Sequence, residues 1–308
     1  MFKNFIASLI IVVCISLPIK GTDAPLPFDQ AGFSSIGPGR TMSPIEHEMR
    51  RRAANSLLKI YGYLNSKGRF PTLSLCEGGV EQEEFLVPSE WQQTVVLRAG
   101  IMLRLVMPDL GVPLSQCIKS IRICSELVID CTNAAQIAAM SVMSAFFSDV
   151  RVDFMQKYLR SKMKEDAPMS DLQSLMRSYI YAVNISTAEI NNLELSDFFY
   201  IHGHPKYSDE KHLNYARGEN VFCVGFKGGY PVFVGFGDFF KDGPKTIAQV
   251  QENLAQNYLK QEENQAIDAE LFERVLQEIK QQPFFLGKLD TQTIIKRTTP
   301  SVHVVENK

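Results

Sequence analysis

Cys131 directly follows Asp130 and opens the run CTNAAQIAAMSVMSAFF, which ends at Phe147. Small and apolar residues occupy every side of this run on a helical wheel, and such a helix is buried. Asp130 is a suitable N-cap, so we expect Cys131 in the first turn. The N–H groups and dipole there stabilise a thiolate and can hold the oxyanion formed when a carbonyl is attacked. The position predicts a nucleophile; the alternative is a cysteine buried as a small hydrophobe.

Glu219 is the second candidate, within the segment ARGENV at 216–221. It opens a predicted strand directly after Gly218, so we expect its side chain at one end of a sheet, where a buried helix commonly presents its N-terminus. Partial dehydration there would raise the pKa of the carboxyl and let it exchange a proton with a thiol or a leaving amine. The alternative is a solvated loop glutamate that pairs with Arg217.

Histidine spacing gives a weaker signal. His202 and His204 would share one face of a strand, and His212 follows further along the chain, so a metal site is one interpretation. Loop histidines ahead of a proline are the more common arrangement, and the sequence contains no C-x-x-C pair. We therefore expect no metal and no organic cofactor.

The elements that must position these residues are marked by capping and turn signals. Ser43 with Glu46, Ser89 with Gln92, and Thr246 with Gln249 have the spacing of capping boxes. The expected helices span 43–66, 90–107, 113–127, 131–147, 152–164, 170–178, 246–263 and 267–281. The expected strands span 198–203, 220–226 and 230–237, the last two joined by a hairpin at Lys227-Gly228-Gly229, with two edge strands at 290–297 and 301–305. Helices followed by a meander of strands predict one α+β domain over residues 43–308.

The N-terminus has the layout of a secretory signal. Lys3 precedes an uncharged, largely apolar run from Phe5 to Leu17, and Pro18 and Lys20 end it. We expect a signal peptide over 1–21, an extended lead-in over 22–42, and a secreted or periplasmic protein with no stable membrane insertion after signal removal. Removal of Cys14 with the signal leaves five cysteines, so at least one thiol should lack a partner within the chain. The formal net charge of −2, without a strongly basic run, argues against a nucleic-acid partner.

Four sequence motifs follow one another along the chain, and their order is informative. Asp130-Cys131-Thr132 opens the hydrophobic helix, and DFFYIHGHP (197–205), GENV (218–221) and YPVFVGFGD (230–238) follow. Over about 130–240 this series resembles the bacterial spore-coat type protein-glutamine γ-glutamyltransferases, the transglutaminases of that type, whose papain-like core is shared with the NlpC-type hydrolases. The resemblance implies a buried nucleophile helix packed on an antiparallel sheet, with extra helices in this chain.

The resemblance also implies roles for individual residues. Cys131 takes the place of the nucleophile and Glu219 that of its carboxylate partner. Asp130 stands where the family has a glutamate able to act as a second acid or base, and it is one methylene shorter. Phe236 stands where the family has the histidine of a Gly-His-Gly motif. The chemistry would therefore depend on the carboxylates.

The activity implied is acyl transfer through a thioester on Cys131, which crosslinks the glutamine and lysine side chains of protein substrates. If water replaces the lysine amine, the same site is a glutamine deamidase. Two further alternatives remain open from the sequence. One is a papain-like cysteine hydrolase of peptides or cell-wall amides. The other is an exported binding or coat protein that keeps the fold without activity.

Overall fold

The computed structural model describes residues 33–35, 37, 41, 43–69, 73–76, 79–82, 85–98, 101–109, 111–147, 180–185, 190, 193–206, 218–260 and 268–289. Several sequence predictions lie outside the described residues: the signal over 1–21, the helices at 152–164 and 170–178, and the strands at 290–297 and 301–305.

Helices and strands alternate along the described chain in an α+β arrangement. The helices are α1 (Pro44–Lys67), α2 (Leu114–Ile123), α3 (Cys131–Phe147), α4 (Ile247–Lys260) and α5 (Ala269–Lys280). The strands are β1 (Gly68–Arg69), β2 (Leu73–Cys76), β3 (Gly79–Gln82), β4 (Trp91–Arg98), β5 (Ile101–Pro108), β6 (Leu127–Val128), β7 (Ile180–Ile185), β8 (Phe198–His202), β9 (Gly218–Lys227), β10 (Tyr230–Val234), β11 (Lys245–Thr246) and β12 (Phe284–Leu289).

The main sheet has six antiparallel strands in the order β11-β10-β9-β8-β12-β7. β9 and β10 form the predicted hairpin, in which Lys227 pairs with Tyr230. Gly228 and Gly229 make the turn with φ of 60° and 85°. Two successive positive φ values suit glycine, which has no Cβ to clash with the backbone. β9 pairs with β10 on one side and with β8 on the other, so it lies inside the sheet.

Two clusters of buried side chains lie on opposite faces of this sheet, because successive side chains of a strand point to opposite faces. Phe222 and Val224 of β9 belong to the first core, which contains α1, α2 and α3. Val221 and Cys223 belong to the second core, which contains α4 and α5. The sheet is therefore covered by helices on both faces, and α3 packs on the first.

Two helices begin at the capping boxes predicted for them, and a third has a cap that was not predicted. Ser43 Oγ accepts from the Glu46 N–H at the start of α1. Thr246 and Gln249 exchange reciprocal bonds at the start of α4, and Asp268 caps α5 through the N–H of Leu271. α2 is shorter than the predicted 113–127, since it ends at Ile123. The capping boxes therefore placed the starts of α1 and α4.

The prediction of a helix over 90–107 was wrong. Residues 91–108 form a β hairpin in which every residue from Trp91 to Arg98 pairs with one from Pro108 back to Ile101. β-branched residues such as Val95, Val96 and Ile101 favour strands, and a three-and-four spacing in a run this apolar fits either structure. The capping signal of Ser89 and Gln92 lies instead beside a turn, where the Trp91 N–H donates to the Pro88 carbonyl at 2.9 Å.

Part of the predicted extended lead-in is anchored to the sheet. Ser34 forms an antiparallel bridge with Phe226 through backbone hydrogen bonds of 2.8 and 2.9 Å. Phe33 packs against the first core, and Ser35 Oγ lies 3.0 Å from Nε2 of His47 on α1. The segment around Ser34 is therefore part of the folded domain.

Among the described helices, none combines the length and the apolar character that a membrane crossing requires.

Candidate active site

Cys131 is the first residue of α3, as the sequence predicts. Asp130 caps this helix: its Oδ1 accepts from the Asn133 N–H at 2.7 Å, and its carbonyl accepts from the Ala134 N–H at 2.9 Å. The body of α3 is buried against α1 in the first core, while Cys131 and Asp130 are half-buried at its mouth. The thiol of Cys131 is free, as are those of Cys117, Cys124 and Cys223.

Glu219 lies at the start of β9, opposite Ile201 of β8. Gly218 makes this placement possible, because a Cβ there would lie 2.3 Å from the Ile201 carbonyl oxygen and 2.6 Å from the Tyr200 ring. Only glycine tolerates such a close approach of backbone and aromatic ring. Strand alternation puts Glu219 on the same face as Val221 and Ile201 of the second core, and at this end of the sheet its charge acts on the Cys131 sulfur. The charges of Asp130 and Glu219 therefore both act on Cys131, although Glu219 is 88 positions further along the chain.

The environment raises the pKa of the Cys131 thiol to about 12. Burial is the largest cause, followed by the negative charges of Glu219 and then Asp130. A hydrogen bond from the Thr132 side chain and one from the Cys131 N–H act in the opposite direction and are outweighed. The expectation of a thiolate stabilised by the helix N-terminus was therefore wrong. Burial and the charges of two carboxylates raise the thiol pKa by more than the hydrogen bonds at the helix N-terminus lower it.

Burial raises the pKa of the Glu219 carboxyl to about 8, in the direction that the sequence predicts. Desolvation disfavours the charged form of an acid. Between about pH 8 and about pH 12 the two groups together carry one negative charge and retain one proton. In such a pair the apparent pKa values belong to the coupled groups. Over this pH range the thiol is therefore protonated, and Glu219 is a carboxylate that can act as a base.

The mouth of α3 also offers donors for an oxyanion. The first N–H groups of a helix have no carbonyl partner within the helix. The Asn133 N–H donates to Asp130, whereas the N–H groups of Cys131 and Thr132 come earlier in the first turn. The N–H of Cys131 is directed at its own sulfur. These two N–H groups adjoin the candidate nucleophile, where a tetrahedral intermediate would develop its charge.

Phe236 replaces the histidine of the resembled family and lies in the first core, 3% exposed. The adjoining turn is held by Asn65 of α1, whose Nδ2 donates to the Gly235 carbonyl at 3.1 Å and whose Oδ1 accepts from the Gly237 N–H at 3.2 Å. A Cβ at Gly235 would lie 2.5 Å from the Phe240 ring. This part of the fold is packed with apolar groups, and no imidazole reaches the thiol from it.

The two histidines of the second motif, His202 and His204, have other surroundings. His204 Nε2 lies 2.7 Å from Oε2 of Glu278 on α5, and its ring stacks on Tyr258. His202 ends β8 opposite Gly218, its ring is edge-on to Tyr200 at 4.8 Å, and burial lowers its pKa. In the part of the chain that the structure describes, no cluster of three or more His, Cys, Asp or Glu side chains could hold a metal ion. His212 lies outside that part.

Two contributors to the site were given no role from the sequence. Thr132 donates to the Cys131 sulfur, and Asn133 contacts Asp130 through both its backbone and its side chain. The spacing Asp130-x-x-Asn133 is itself a helix-cap signal, so the backbone contact could have been predicted. The bond that Asn133 Oδ1 accepts from the Val106 N–H could not be predicted, because Val106 lies on a strand distant in sequence.

Comparison of the chain with protein-family models, with curated proteins and with solved structures finds no significant match.

Proposed function

We propose that this protein is a protein-glutamine γ-glutamyltransferase that forms isopeptide crosslinks through a thioester on Cys131. One observation carries the proposal: a free thiol at the mouth of a buried helix is acted on by the charge of a half-buried glutamate at the end of the adjacent sheet. The order of four sequence motifs supports it further. The proposal includes a papain-like core of the NlpC type and protein substrates met outside the cytoplasm.

Acylation needs a base, because the thiol is protonated at neutral pH. In this step the Glu219 carboxylate takes the thiol proton as the sulfur attacks the γ-carboxamide of a glutamine. The carbonyl oxygen becomes an oxyanion that the N–H groups of Cys131 and Thr132 bind. When the intermediate collapses, the C–N bond breaks and ammonia leaves with the proton from Glu219. The product is a thioester, and Glu219 is again a carboxylate.

In the transfer step a proton passes from the lysine amine through Glu219 to the Cys131 sulfur. An uncharged lysine amine attacks the thioester carbonyl and gives a proton to Glu219. As the C–S bond breaks, the proton returns to the Cys131 sulfur, and an isopeptide bond joins the two proteins. If water attacks instead, the product is glutamate and the overall reaction is deamidation. Asp130 is a charged neighbour of the sulfur, and we assign it the capping of α3 with a secondary acid or base role.

The test is incorporation of a fluorescent primary amine into casein by the purified protein. We expect incorporation by the wild type and at least a thousandfold loss in Cys131→Ala, since no other group can form the thioester. Cys124→Ala is the matched control, because Cys124 is also a half-buried free thiol and lies outside the proposed site. The control should retain the wild-type rate.

Ammonia release is measured in parallel to separate the outcomes. Ammonia without amine incorporation, lost in Cys131→Ala, would replace transfer by deamidation. Activity that survives in Cys131→Ala, or no activity in any variant of folded protein with casein and with a panel of glutamine peptides, would refute the proposed function.

A further inference from the structure

Asn133 forms three hydrogen bonds at the mouth of α3. Its backbone N–H and its side-chain Nδ2 both donate to Oδ1 of Asp130, at 2.7 and 3.0 Å. Its side-chain Oδ1 accepts from the backbone N–H of Val106 on β5 at 2.8 Å. The residue is only 1% exposed, and the bond to Val106 is buried while the bonds to Asp130 are partly buried. Asn133 therefore joins the cap of α3 to the β4–β5 hairpin.

The two side-chain contacts fix the orientation of the amide. A carboxylate oxygen requires a donor and a backbone N–H requires an acceptor, so the side chain satisfies both in one orientation only. Rotating the amide by half a turn would leave the Val106 N–H unpaired in the core and place two oxygens in contact. Burying an unsatisfied polar group costs about 1–3 kcal/mol, which holds the amide and the carboxylate in place.

We propose that Asn133 is a positioning residue of the Cys131 site: by joining Asp130 to the backbone of β5, it fixes where the Asp130 charge stands beside the thiol. The inference concerns the thiol itself and does not require the proposed transfer reaction. It gives the β4–β5 hairpin a part in the site, since a strand far from the nucleophile in sequence holds the carboxylate next to it.

The charges that face the thiol come from two elements. Asp130 precedes α3 and Glu219 opens β9, and both oppose ionisation of the sulfur. The two bonds from Asn133 compensate part of the Asp130 charge. Asn133→Asp keeps the shape of the side chain and the oxygen that accepts from Val106, and it replaces the donor to Asp130 by a second carboxyl oxygen. Asp130 would keep the bond from the backbone N–H of residue 133 but lose the one from the side-chain amide, a second carboxyl would stand beside it, and ionisation of the thiol would become harder.

The experiment measures alkylation of Cys131 by iodoacetamide between pH 7 and pH 10, with labelling quantified on the Cys131 peptide by mass spectrometry. For Asn133→Asp we expect alkylation at pH 8 to fall about three- to tenfold, which corresponds to a rise of roughly 0.5–1 in the thiol pKa. In the double variant Asp130→Asn with Asn133→Asp the amide and the carboxylate exchange places. The net charge and the side-chain bond are kept, so alkylation should return to within about threefold of the wild type.

Asn257→Asp on α4 is the control for a change of charge away from the site, and it should leave the profile unchanged. A role in packing alone predicts the same profile for the single and the double variant, since both keep the acceptor for Val106. That result, or an unchanged profile in Asn133→Asp, would overturn the proposal. If Asn133→Asp fails to fold, Asp130→Asn decides: removal of the charge should accelerate alkylation several-fold, and an unchanged rate would refute the proposal.

Discussion

At the scale of single residues, the chemistry depends on how Cys131 and Glu219 share charge. A cysteine at a helix N-terminus is commonly an acidic thiol. Here burial and two neighbouring carboxylates reverse that tendency and raise the thiol pKa to about 12. Among the described residues, no histidine is one of the groups that act on the thiol. In the proposed reaction, the thiolate is therefore generated during the attack, by a base whose own pKa is about 8.

Glu219→Gln should lower the rate of amine incorporation by about two to four orders of magnitude, because it removes the base and keeps the shape of the side chain. The wild-type rate should rise with pH up to about pH 8, as Glu219 loses its proton and becomes a base. The residual rate of the variant should lack this rise. Steady-state rates measured between pH 6 and pH 10 for both proteins give the comparison.

Glu219→Gln should also increase the reactivity of the Cys131 thiol, although it lowers the rate of transfer. Because the charge of Glu219 raises the thiol pKa, alkylation of Cys131 in Glu219→Gln should occur at lower pH than in the wild type. Glu126→Gln is the control, since Glu126 is exposed and follows α2. A fall in transfer together with faster alkylation separates loss of the base from loss of the fold. An unchanged rate in Glu219→Gln would assign the proton transfer to another group.

At the scale of elements, the candidate site combines the N-terminus of α3 with the start of β9. α3 begins at Cys131, and β9 begins one residue before Glu219. Gly218 allows the strand to start against the Tyr200 ring, and Asp130 determines where the helix starts. The register of β8 against β9 sets Ile201 opposite Glu219. Ile201 belongs to the second core, so this register places Glu219 toward that face at the end of the sheet, from which its charge acts on Cys131.

Helix caps of this chain can be tested individually, and α5 offers the simplest case. Asp268 accepts from the Leu271 N–H at 2.6 Å and is exposed, so its substitution changes little besides the cap. Asp268→Ala should lower the free energy of unfolding by about 1 kcal/mol. Asp268→Asn keeps a capping oxygen and should lose less. Urea unfolding followed by circular dichroism measures both, and equal losses in the two variants would contradict the assignment of the cap.

At the scale of the whole molecule, α1 links the two cores. Arg50 is buried and forms ion pairs with Asp197, at 3.4 Å, and with Glu194, while also donating to the Leu195 carbonyl at 3.1 Å. These acidic residues immediately precede β8, whose side chains contribute to both cores. The guanidinium therefore attaches a helix of the first core to the strand that pairs with β9.

Arg50→Met should reduce the free energy of unfolding by about 3–5 kcal/mol, because the buried Asp197 carboxylate would lose its partner. Arg52→Met is the matched control on the same helix: Arg52 is 43% exposed and its pair with Glu48 spans 3.9 Å. A surface pair of this kind contributes at most about 1 kcal/mol. Urea unfolding of the two variants gives the difference, and similar losses would show that the Arg50 network does not link the cores.

The sequence by itself determined those features that depend on neighbouring residues. Hydrophobicity on every side of the helical wheel identified α3, the capping boxes placed the starts of α1 and α4, and the glycine turn identified the β9–β10 hairpin. The first residue of α3 followed from Asp130 for the same reason. Interactions within a few residues are encoded directly, because the chain cannot separate them.

Only the tertiary structure decided the features that depend on distant partners. The run at 91–108 is compatible with a helix or a hairpin, and strand pairing selected the hairpin. The protonation of Cys131 was predicted wrongly because the sequence does not show how strongly burial and the two carboxylates act on the thiol relative to the helix terminus. The contact of Asn133 with Val106 has the same origin. Charges and buried partners act through space, so their effect on the thiol is set by the packing of the whole chain.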